Sequence, residues 1–371
     1  MKTYLDAKIR DFSERDVAHT LVIPGPEFCR EDRGNSVIYR IPGVAIPNTP
    51  GYRLLLRSHF LREVIRQERP QVIEVGSPFL VPHLTRRATH GRAVPMLGFY
   101  HADLVRTYVD PYVGRWSPGL QEWIRGRAAR FVRNVYAQFD LTLVASHSVA
   151  RELEGLGIKN VVRVSLGVDL ACFHPRRATP GLKEALGVPA GKLLAVFAGR
   201  LCPEKGLDVV VEAHARMDPA TRPHLLLVGE GPSQPGFQAI ADSRPDLTVQ
   251  PFESDKLKLA RIFASSDIYL GAGPGETFGL SVAEAMATGT PMVGVDSGAV
   301  PDRIRGSDSG ELYQRGDPES VRSAILRLTR RVGPELRQRT RALALREYGW
   351  KRTFDALFRI YRALLSGEMA A

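Results

Sequence analysis

The sequence predicts an α/β protein with two doubly wound domains that face each other across a cleft. Short runs of β-favouring residues alternate with helical patterns, which is typical of parallel sheets covered by helices on both faces. The chain has 371 residues, enough for two domains of ordinary size. The alternation restarts after residues 178–192, a stretch rich in Pro, Gly and Ala, so the sequence predicts domains at 1–177 and 178–349.

The first half opens on a helical pattern, in which Tyr4, Leu5, Ile9 and Phe12 share one face. A doubly wound domain normally begins with a strand and a glycine-bearing turn. The sequence shows neither, so the first domain is predicted to lack its opening strand. Strands are predicted at Leu21–Ile23, Val37–Tyr39, Val72–Val75, Val94–Tyr100 and Leu141–Val144, and helices at Arg53–Arg69 and Gln121–Phe139.

A second alternating pattern fills the rest of the chain. Strands are predicted at Leu193–Ala198, Leu225–Val228, Leu247–Pro251, Ile268–Leu270 and Met292–Val295, with a helix from about Lys205. A basic helical stretch, Pro318–Leu365, follows, and Gly333–Pro334 and Tyr348–Gly349 are expected to interrupt it. Ligands of such sheets bind beyond the carboxyl ends of the strands, so the loops there are the first candidates for a site.

The composition excludes several classes of protein. Hydrophobic residues make up 44% and charged residues 25%, which is ordinary for a globular protein. The net charge of +11 favours acidic partners such as phosphate-bearing metabolites, anionic lipid or nucleic acid. Cys29, Cys172 and Cys202 form no C-x-x-C pair, which argues against a disulfide framework or zinc site. No apolar run is long enough for a membrane span or secretory signal, so we expect a cytoplasmic protein.

The strongest local signal is the glycine-rich segment from Ala272 to Leu280, which follows a strand and runs into a helix predicted to begin near Phe278. The first turn of a helix has unpaired N–H groups and a positive dipole end, and glycines let an anion approach closely. Glu276 lies in this loop, and Glu284 follows two turns along the helix, where a carboxylate can accept two hydrogen bonds from a diol such as ribose. The alternative is that Glu276 caps the helix and Glu284 is solvated.

A second signal, Gly199 to Gly206, follows the first strand of the second domain. Arg200 can bind phosphate oxygens bidentately and Lys205 adds a point charge, although both could be ordinary surface charges. The glycine pattern fits neither a dinucleotide fingerprint nor a P-loop. Two weaker signals are His101, which follows the strand ending near Phe99, and the Gly229–Gly231 turn.

Gly199–Arg200 with Glu204–Lys205–Gly206, followed by Glu276 and Glu284 in an E-x7-E frame, resembles the retaining GT-B glycosyltransferases with a glycosyl-transferases-group-1 domain. Gly167–Asp169, with Phe173 and Pro175 after it, resembles the interdomain segment of that family. The likeness covers nearly the whole chain and is closer in the second half. Within the family, the chain most resembles bacterial α-mannosyltransferases that act on lipid or glycan acceptors.

The resemblance implies two Rossmann-like domains and a role for each residue of the donor site. Arg200 and Lys205 would neutralise the leaving diphosphate, Glu284 would hold the ribose, and Glu276 would bind sugar hydroxyls. His101 would lie by the sugar on the opposite wall. The remaining donor-binding residues would be Gly199, Gly229, Gly231, Phe278, Gly279 and Leu280.

The same resemblance implies the reaction. A hexose would move with retention from a nucleotide-sugar donor, GDP-mannose or the rival UDP-hexose, to a lipid or glycan acceptor. The leaving phosphate would help to take the acceptor proton in a front-face process. Neither a metal nor a cofactor is expected, because Arg, Lys and a helix end supply positive charge. The final helix, 350–366, would pack back on the first domain.

The stretch from Arg115 to Tyr136 combines arginines with aromatic residues, as interfacial helices on anionic lipid do. It predicts peripheral contact with an anionic membrane at the inner face of the plasma membrane. The alternative is an ordinary amphipathic helix with a solvated basic face. Other functions remain open at this stage: a nucleotide-sugar epimerase on the same scaffold, a catalytically impaired truncated homologue, a nucleic-acid module or a nicotinamide oxidoreductase. No nucleic-acid-binding motif and no dinucleotide fingerprint support the last two.

Overall fold

The computed structural model describes residues 2–45, 53–103, 105 and 117–368. The first described element is a helix, as the apolar pattern predicts. In chain order the first half contains α1 (Lys2–Glu14), β1 (His19–Gly25), β2 (Cys29–Arg33), β3 (Ser36–Pro42), β4 (Val44–Ala45), β5 (Arg53–Leu54), α2 (Ser58–Glu68), β6 (Ile73–Val75), α3 (Val81–Ala88), β7 (Met96–Tyr100), α4 (Pro118–Tyr136), β8 (Leu141–Val144), α5 (His147–Gly155) and β9 (Val161–Arg163).

The first half contains more than one sheet. Strands β6, β7, β8 and β9 form a parallel sheet in that order, and β1, β3 and β2 form a separate three-stranded sheet. Two antiparallel pairs add to the predicted parallel strands: β2 runs antiparallel to β3, and β4 antiparallel to β5. The cause lies in the turn between β2 and β3, where Gly34 and Asn35 join the strands in a two-residue hairpin.

The second half contains two short 3-10 turns, Pro175–Arg177 and Pro203–Lys205, and these elements: α6 (Leu182–Ala185), β10 (Leu194–Ala198), α7 (Leu207–Ala215), β11 (His224–Val228), α8 (Gln234–Asp242), β12 (Leu247–Gln250), α9 (Lys256–Ser265), β13 (Ile268–Gly271), α10 (Leu280–Ala287), β14 (Met292–Val295), α11 (Pro301–Ile304), β15 (Gly310–Tyr313), α12 (Pro318–Thr329), α13 (Pro334–Glu347) and α14 (Trp350–Ser366). The predicted interruptions before Pro334 and Trp350 are confirmed.

Six parallel strands form the second sheet, in the order β12-β11-β10-β13-β14-β15. Every residue of β10 and β11 is buried, which explains why these central strands are continuous apolar runs in the sequence. Strand β15 at the edge was not predicted, since Gly310 and Glu311 have little preference for strands.

Helix α14 packs on the first half beside α1 and β7. Phe354 and Leu357 of α14 share a buried cluster with Tyr4 of α1 and with Leu97 and Phe99 of β7. Among the described helices, none is both long and apolar enough to cross a bilayer.

Polar side chains also tie these elements together. The buried Lys8 ammonium donates to Glu74 over 3.0 Å, and the Tyr361 hydroxyl donates to the same carboxylate over 2.8 Å. One carboxylate of β6 therefore binds side chains from both α1 and α14.

Direct hydrogen bonds join the two halves close to the predicted site. The Thr277 hydroxyl donates to the His101 carbonyl over 2.9 Å, and the Ser148 N–H donates to Asp302 over 3.0 Å. Because His101 follows β7 and Thr277 follows β13, the carboxyl ends of the two parallel sheets meet at this point.

Candidate functional site

The loop after β13 carries Glu276 toward the loop after β10. Its carboxylate accepts a hydrogen bond from the Lys205 ammonium and does not cap the following helix. Burial disfavours the ammonium, but attraction to Glu276 outweighs it and raises the pKa of Lys205 above its ordinary value. The structure thus joins two residues that are 71 positions apart in the chain.

Helix α10 begins at Leu280, two residues later than predicted. Gly279 precedes it with φ 69°, a left-handed conformation that glycine adopts at no steric cost. The N–H groups of Phe278, Gly279 and Leu280 donate no backbone hydrogen bond within the described part of the chain. Three consecutive donors at a positive helix end are suited to binding an anion.

A cavity of about 170 Å³ lies between these two loops, and its lining includes Gly199, Arg200, Lys205, Gly273, Glu276 and Ser281. Arg200 stands at its rim, with 62% of the side chain exposed and a 2.6 Å hydrogen bond to Glu204. The cavity lining therefore includes one half-buried cation, Lys205, and one exposed cation, Arg200.

Gly229 and Gly231 lie behind this cavity. A methyl group at Gly231 would clash with the Leu201 carbonyl oxygen, and one at Gly229 would clash with that of Gly199. The Leu201 N–H donates to the Glu230 carbonyl over 2.8 Å. The two turns pack backbone against backbone, so here the glycines support the cavity wall rather than line it.

Glu284 is buried on α10, with 8% exposure, and is not the solvated residue of the alternative interpretation. Burial raises the pKa of its carboxyl to about 8, and the nearby Lys256 only partly offsets this effect. No side chain or N–H group among the described residues donates a hydrogen bond to it. A buried carboxyl without a partner is costly, which is the usual condition of a group that awaits a ligand.

His101 follows β7 in the first half, and its backbone carbonyl contacts Thr277 of the Glu276 loop. Its Nδ1 lies 3.1 Å from the Phe99 carbonyl oxygen, so the hydrogen-bond pattern assigns the proton to Nδ1 and leaves Nε2 as an acceptor. Burial lowers the pKa of His101 below its ordinary value, although the Phe99 carbonyl favours the charged form. The ring is therefore neutral near pH 7.

Comparison with known proteins identifies the family. Residues 192–331 match the family described as Glycosyl transferases group 1, and residues 1–171 match Glycosyltransferase Family 4. A GDP-mannose-dependent alpha-(1-6)-phosphatidylinositol dimannoside mannosyltransferase of Mycobacterium tuberculosis is 30% identical over 336 residues, which cover 90% of this chain and 84% of that protein. The chain belongs to glycosyltransferase family 4.

Two further similarities support this assignment. A GDP-mannose-dependent alpha-mannosyltransferase of Corynebacterium glutamicum is 26% identical, over 79% of this transferase and 68% of that protein. The solved structure of a sucrose-phosphate synthase from Thermosynechococcus elongatus superposes with a TM-score of 0.76, over 98% of this chain and 93% of that one, at 18% identity. The predicted GT-B fold with two Rossmann-like domains is confirmed. The protein is a glycosyltransferase of the hexosyltransferase class that uses a nucleotide-sugar donor.

The transferase supports its Glu276 loop with a turn that sequence reasoning missed. The Ala299 N–H donates to the Glu276 carbonyl over 2.7 Å, and the Ser297 hydroxyl donates to that of Pro274 over 2.9 Å. Gly298 between them has φ 60°, and a side chain there would meet the Glu276 carbonyl at 2.6 Å. The Ser297–Gly298 pair, which follows β14 after Asp296, is the signal that could have revealed this turn.

Chemically, the arrangement can hold a diphosphate. Lys205, Arg200 and the N–H groups before α10 offer positive charge and donors, while Glu276 and Glu284 offer acceptors for hydroxyl groups. Within the described ranges, no group of three or more His, Cys, Asp or Glu side chains is arranged to hold a metal ion.

Proposed function

We propose that this transferase moves mannose from GDP-mannose to a lipid or glycan acceptor, with retention and without a metal. The observation that carries the proposal is the Lys205–Glu276 pair beside three unbonded N–H groups, with the unpartnered Glu284 on the same helix. This set matches the donors and acceptors of a nucleoside diphosphate sugar. The named relatives from Mycobacterium tuberculosis and Corynebacterium glutamicum support the choice of mannose and guanine.

Each residue then has a task in the reaction. Lys205, Arg200 and the N–H groups from Phe278 to Leu280 bind the diphosphate and stabilise the charge that grows on it as the bond to the sugar breaks. Glu284 accepts hydrogen bonds from the ribose hydroxyls. Gly199, together with the supporting Gly229 and Gly231, keeps the backbone close to the phosphates.

The sugar lies between the two halves in this scheme. Glu276 accepts a hydrogen bond from a sugar hydroxyl while it orients Lys205, and His101 Nε2 accepts another from the opposite wall. The acceptor oxygen attacks the anomeric carbon on the face that the phosphate leaves, and a phosphate oxygen takes the proton of the acceptor hydroxyl. One bond to the anomeric carbon breaks and one forms on the same face, which gives retention.

The donor can be tested without knowledge of the acceptor. Thermal shifts with GDP, UDP and ADP rank the bases, and nucleotide release from GDP-mannose and UDP-glucose follows the reaction. We expect the largest stabilisation with GDP and release from GDP-mannose. A preference for UDP would overturn the choice of donor, and no response to any nucleotide would overturn the donor site. Assignment of the product anomer by NMR tests retention.

We also propose that α4 brings the enzyme to an anionic membrane. Its apolar residues Leu120, Trp123 and Phe131 are 44%, 61% and 42% exposed, whereas its buried residues all lie in its last turns. The Arg127 guanidinium lies 5.7 Å from the centre of the Trp123 ring. Exposed aromatic and basic groups on one helix suit the boundary between headgroups and acyl chains. Arg115 and Trp116, which the sequence pattern also includes, lie outside the described residues.

Flotation with liposomes tests this contact. We expect binding to vesicles with anionic lipid and weaker binding of Trp123→Ala. Leu345→Ala, which removes a 52% exposed apolar side chain from α13, serves as the matched control. Equal recovery of the protein with anionic and zwitterionic vesicles would refute the membrane contact but leave the donor site intact.

A further inference from the structure

Arg303, on the short helix α11, is an unusual residue for the interior of this fold. Its side chain is 2% exposed. One guanidinium nitrogen donates to the Ala299 carbonyl over 2.8 Å, but Nε and Nη2 have no hydrogen-bond partner among the described residues. No carboxylate forms an ion pair with it in the described chain. A buried cation with so little compensation is costly and requires a reason.

The guanidinium carbon lies 4.5 Å from the centre of the Phe278 ring and 5.3 Å from that of Tyr348. The two rings meet edge to face, with centroids 5.8 Å apart. Contact with two aromatic rings is favourable for a planar, weakly hydrated cation. Arg303 therefore bridges the two rings instead of binding a carboxylate.

Phe278 and Tyr348 belong to two parts of the molecule with different tasks. The N–H of Phe278 is one of the unbonded donors before α10. The carbonyl of Tyr348 accepts a hydrogen bond from Val168 over 2.8 Å, where the chain crosses between the halves, and α14 starts two residues later. The neighbouring Asp302 binds Ser148 of the first half. A single buried side chain thus links the anion-binding donors to the crossing between the halves.

We propose that Arg303 is a positioning residue of the donor site. It fixes the position of Phe278, and of the N–H groups that bind the diphosphate, relative to Tyr348, where the chain crosses between the halves. This inference rests on the proposed donor site. Its consequence is that diphosphate affinity depends on a residue that does not line the cavity. A lysine at this position keeps the charge but cannot contact both rings at once.

The test compares GDP binding to Arg303→Met and Arg303→Lys by titration calorimetry. Arg337→Met is the matched control, because the Arg337 guanidinium also supports the second half, with 2.6 Å hydrogen bonds to the Ser266 and Ala264 carbonyls, but touches neither ring. We expect Arg303→Met to weaken GDP binding about tenfold and Arg303→Lys to recover less than half of that loss on a logarithmic scale. Arg337→Met should lower Tm without a change in Kd.

Phe278→Leu keeps the test decisive if Arg303→Met does not fold. It should weaken GDP binding in the same direction, and adding Arg303→Lys to it should cause little further loss. Unchanged Kd in Arg303→Met and Arg303→Lys, or full recovery by lysine, would overturn the inference. Lys205→Ala separates the two proposals: if it weakens GDP binding while the Arg303 variants do not, only the role of Arg303 fails. If Lys205→Ala leaves binding unchanged as well, the donor site itself fails.

Discussion

The two halves of this transferase differ in how regular they are and in how much of the proposed chemistry they carry. The second half has six parallel strands in one sheet, and the loops after β10, β11 and β13 carry nearly all of the proposed donor site. The first half divides its strands among several sheets, includes antiparallel pairs, and contributes His101. A diphosphate needs cations and helix-end donors in a fixed frame, and the ends of parallel strands provide that frame. The first half, which we propose faces the acceptor, has no such uniform demand.

The contrast between the two halves predicts that loss of the Lys205–Glu276 pair has the largest effect on turnover. We expect Lys205→Ala and Glu276→Ala each to lower turnover about a hundredfold or more, since each removes a contact with charge that develops in the transition state. The rate of nucleotide release at a saturating concentration of donor measures this turnover. Lys258→Ala, an exposed lysine on α9 of the same half, is the control and should retain activity. If either site variant turned over at nearly the wild-type rate, the proposal that this pair of the second half takes part in catalysis would be wrong.

This pair also indicates how far sequence reasoning could reach. Glycines and charged residues directly after apolar strands marked Lys205 and Glu276 as neighbours, because the carboxyl ends of parallel strands meet at one edge. The pairing of β2 with β3 could not be predicted in the same way, since β2 is polar and mostly exposed. Arg303 was also missed, because its role comes from two rings that are 70 residues apart in the chain.

The next effect tests the fixed frame itself. Gly231→Ala should lower the free energy of unfolding by about 2 kcal/mol and reduce donor binding, because its methyl group meets the Leu201 carbonyl behind the cavity. Gly126→Ala, on α4 of the first half, has nothing within 4 Å of the added methyl group and should stabilise by roughly 0.5–1 kcal/mol. Urea unfolding measures both. If both substitutions changed the free energy of unfolding equally, or if Gly231→Ala had no effect, the second half would not tolerate substitutions less well than the first.

A third test uses acid. His214 in the second half donates from Nε2 to the Pro223 carbonyl over 2.7 Å and accepts from Arg244 at Nδ1, so its ring is neutral. Burial lowers the pKa of His214 to about 4, and the Pro223 carbonyl only partly opposes this. The unfolded chain takes up a proton near pH 6.5, so this stability is fully present above pH 6.5 and is lost as pH falls toward 4.

We expect His214 to contribute a loss of about 3 kcal/mol in the free energy of unfolding across that window. The first half has a counterpart in His19, whose pKa burial and the nearby Lys8 also lower to about 4. His214→Gln and His19→Gln should each flatten the pH dependence, and exposed His90→Gln should not. If only His19→Gln removed the dependence of the unfolding free energy on pH, the acid sensitivity would arise in the first half.

The smallest effect concerns the contact that joins the two halves at the site. Thr277→Val keeps the shape of the side chain but removes its 2.9 Å hydrogen bond to the His101 carbonyl. Such a bond contributes about 1 kcal/mol net, so we expect a roughly fivefold lower kcat. The affinity for GDP should stay unchanged, because the diphosphate contacts that we propose all lie in the second half.

Ser148→Ala, which removes the hydroxyl bound to Asp302 at the other contact between the halves, provides the comparison. If orientation of the halves is what Thr277 secures, both variants should lower kcat while Kd for GDP holds. A weaker Kd in Thr277→Val alone would mean that its hydroxyl shapes the anion-binding loop itself. The first half would then take part in donor binding through the His101 backbone, and the separation of donor and acceptor tasks between the halves would not stand.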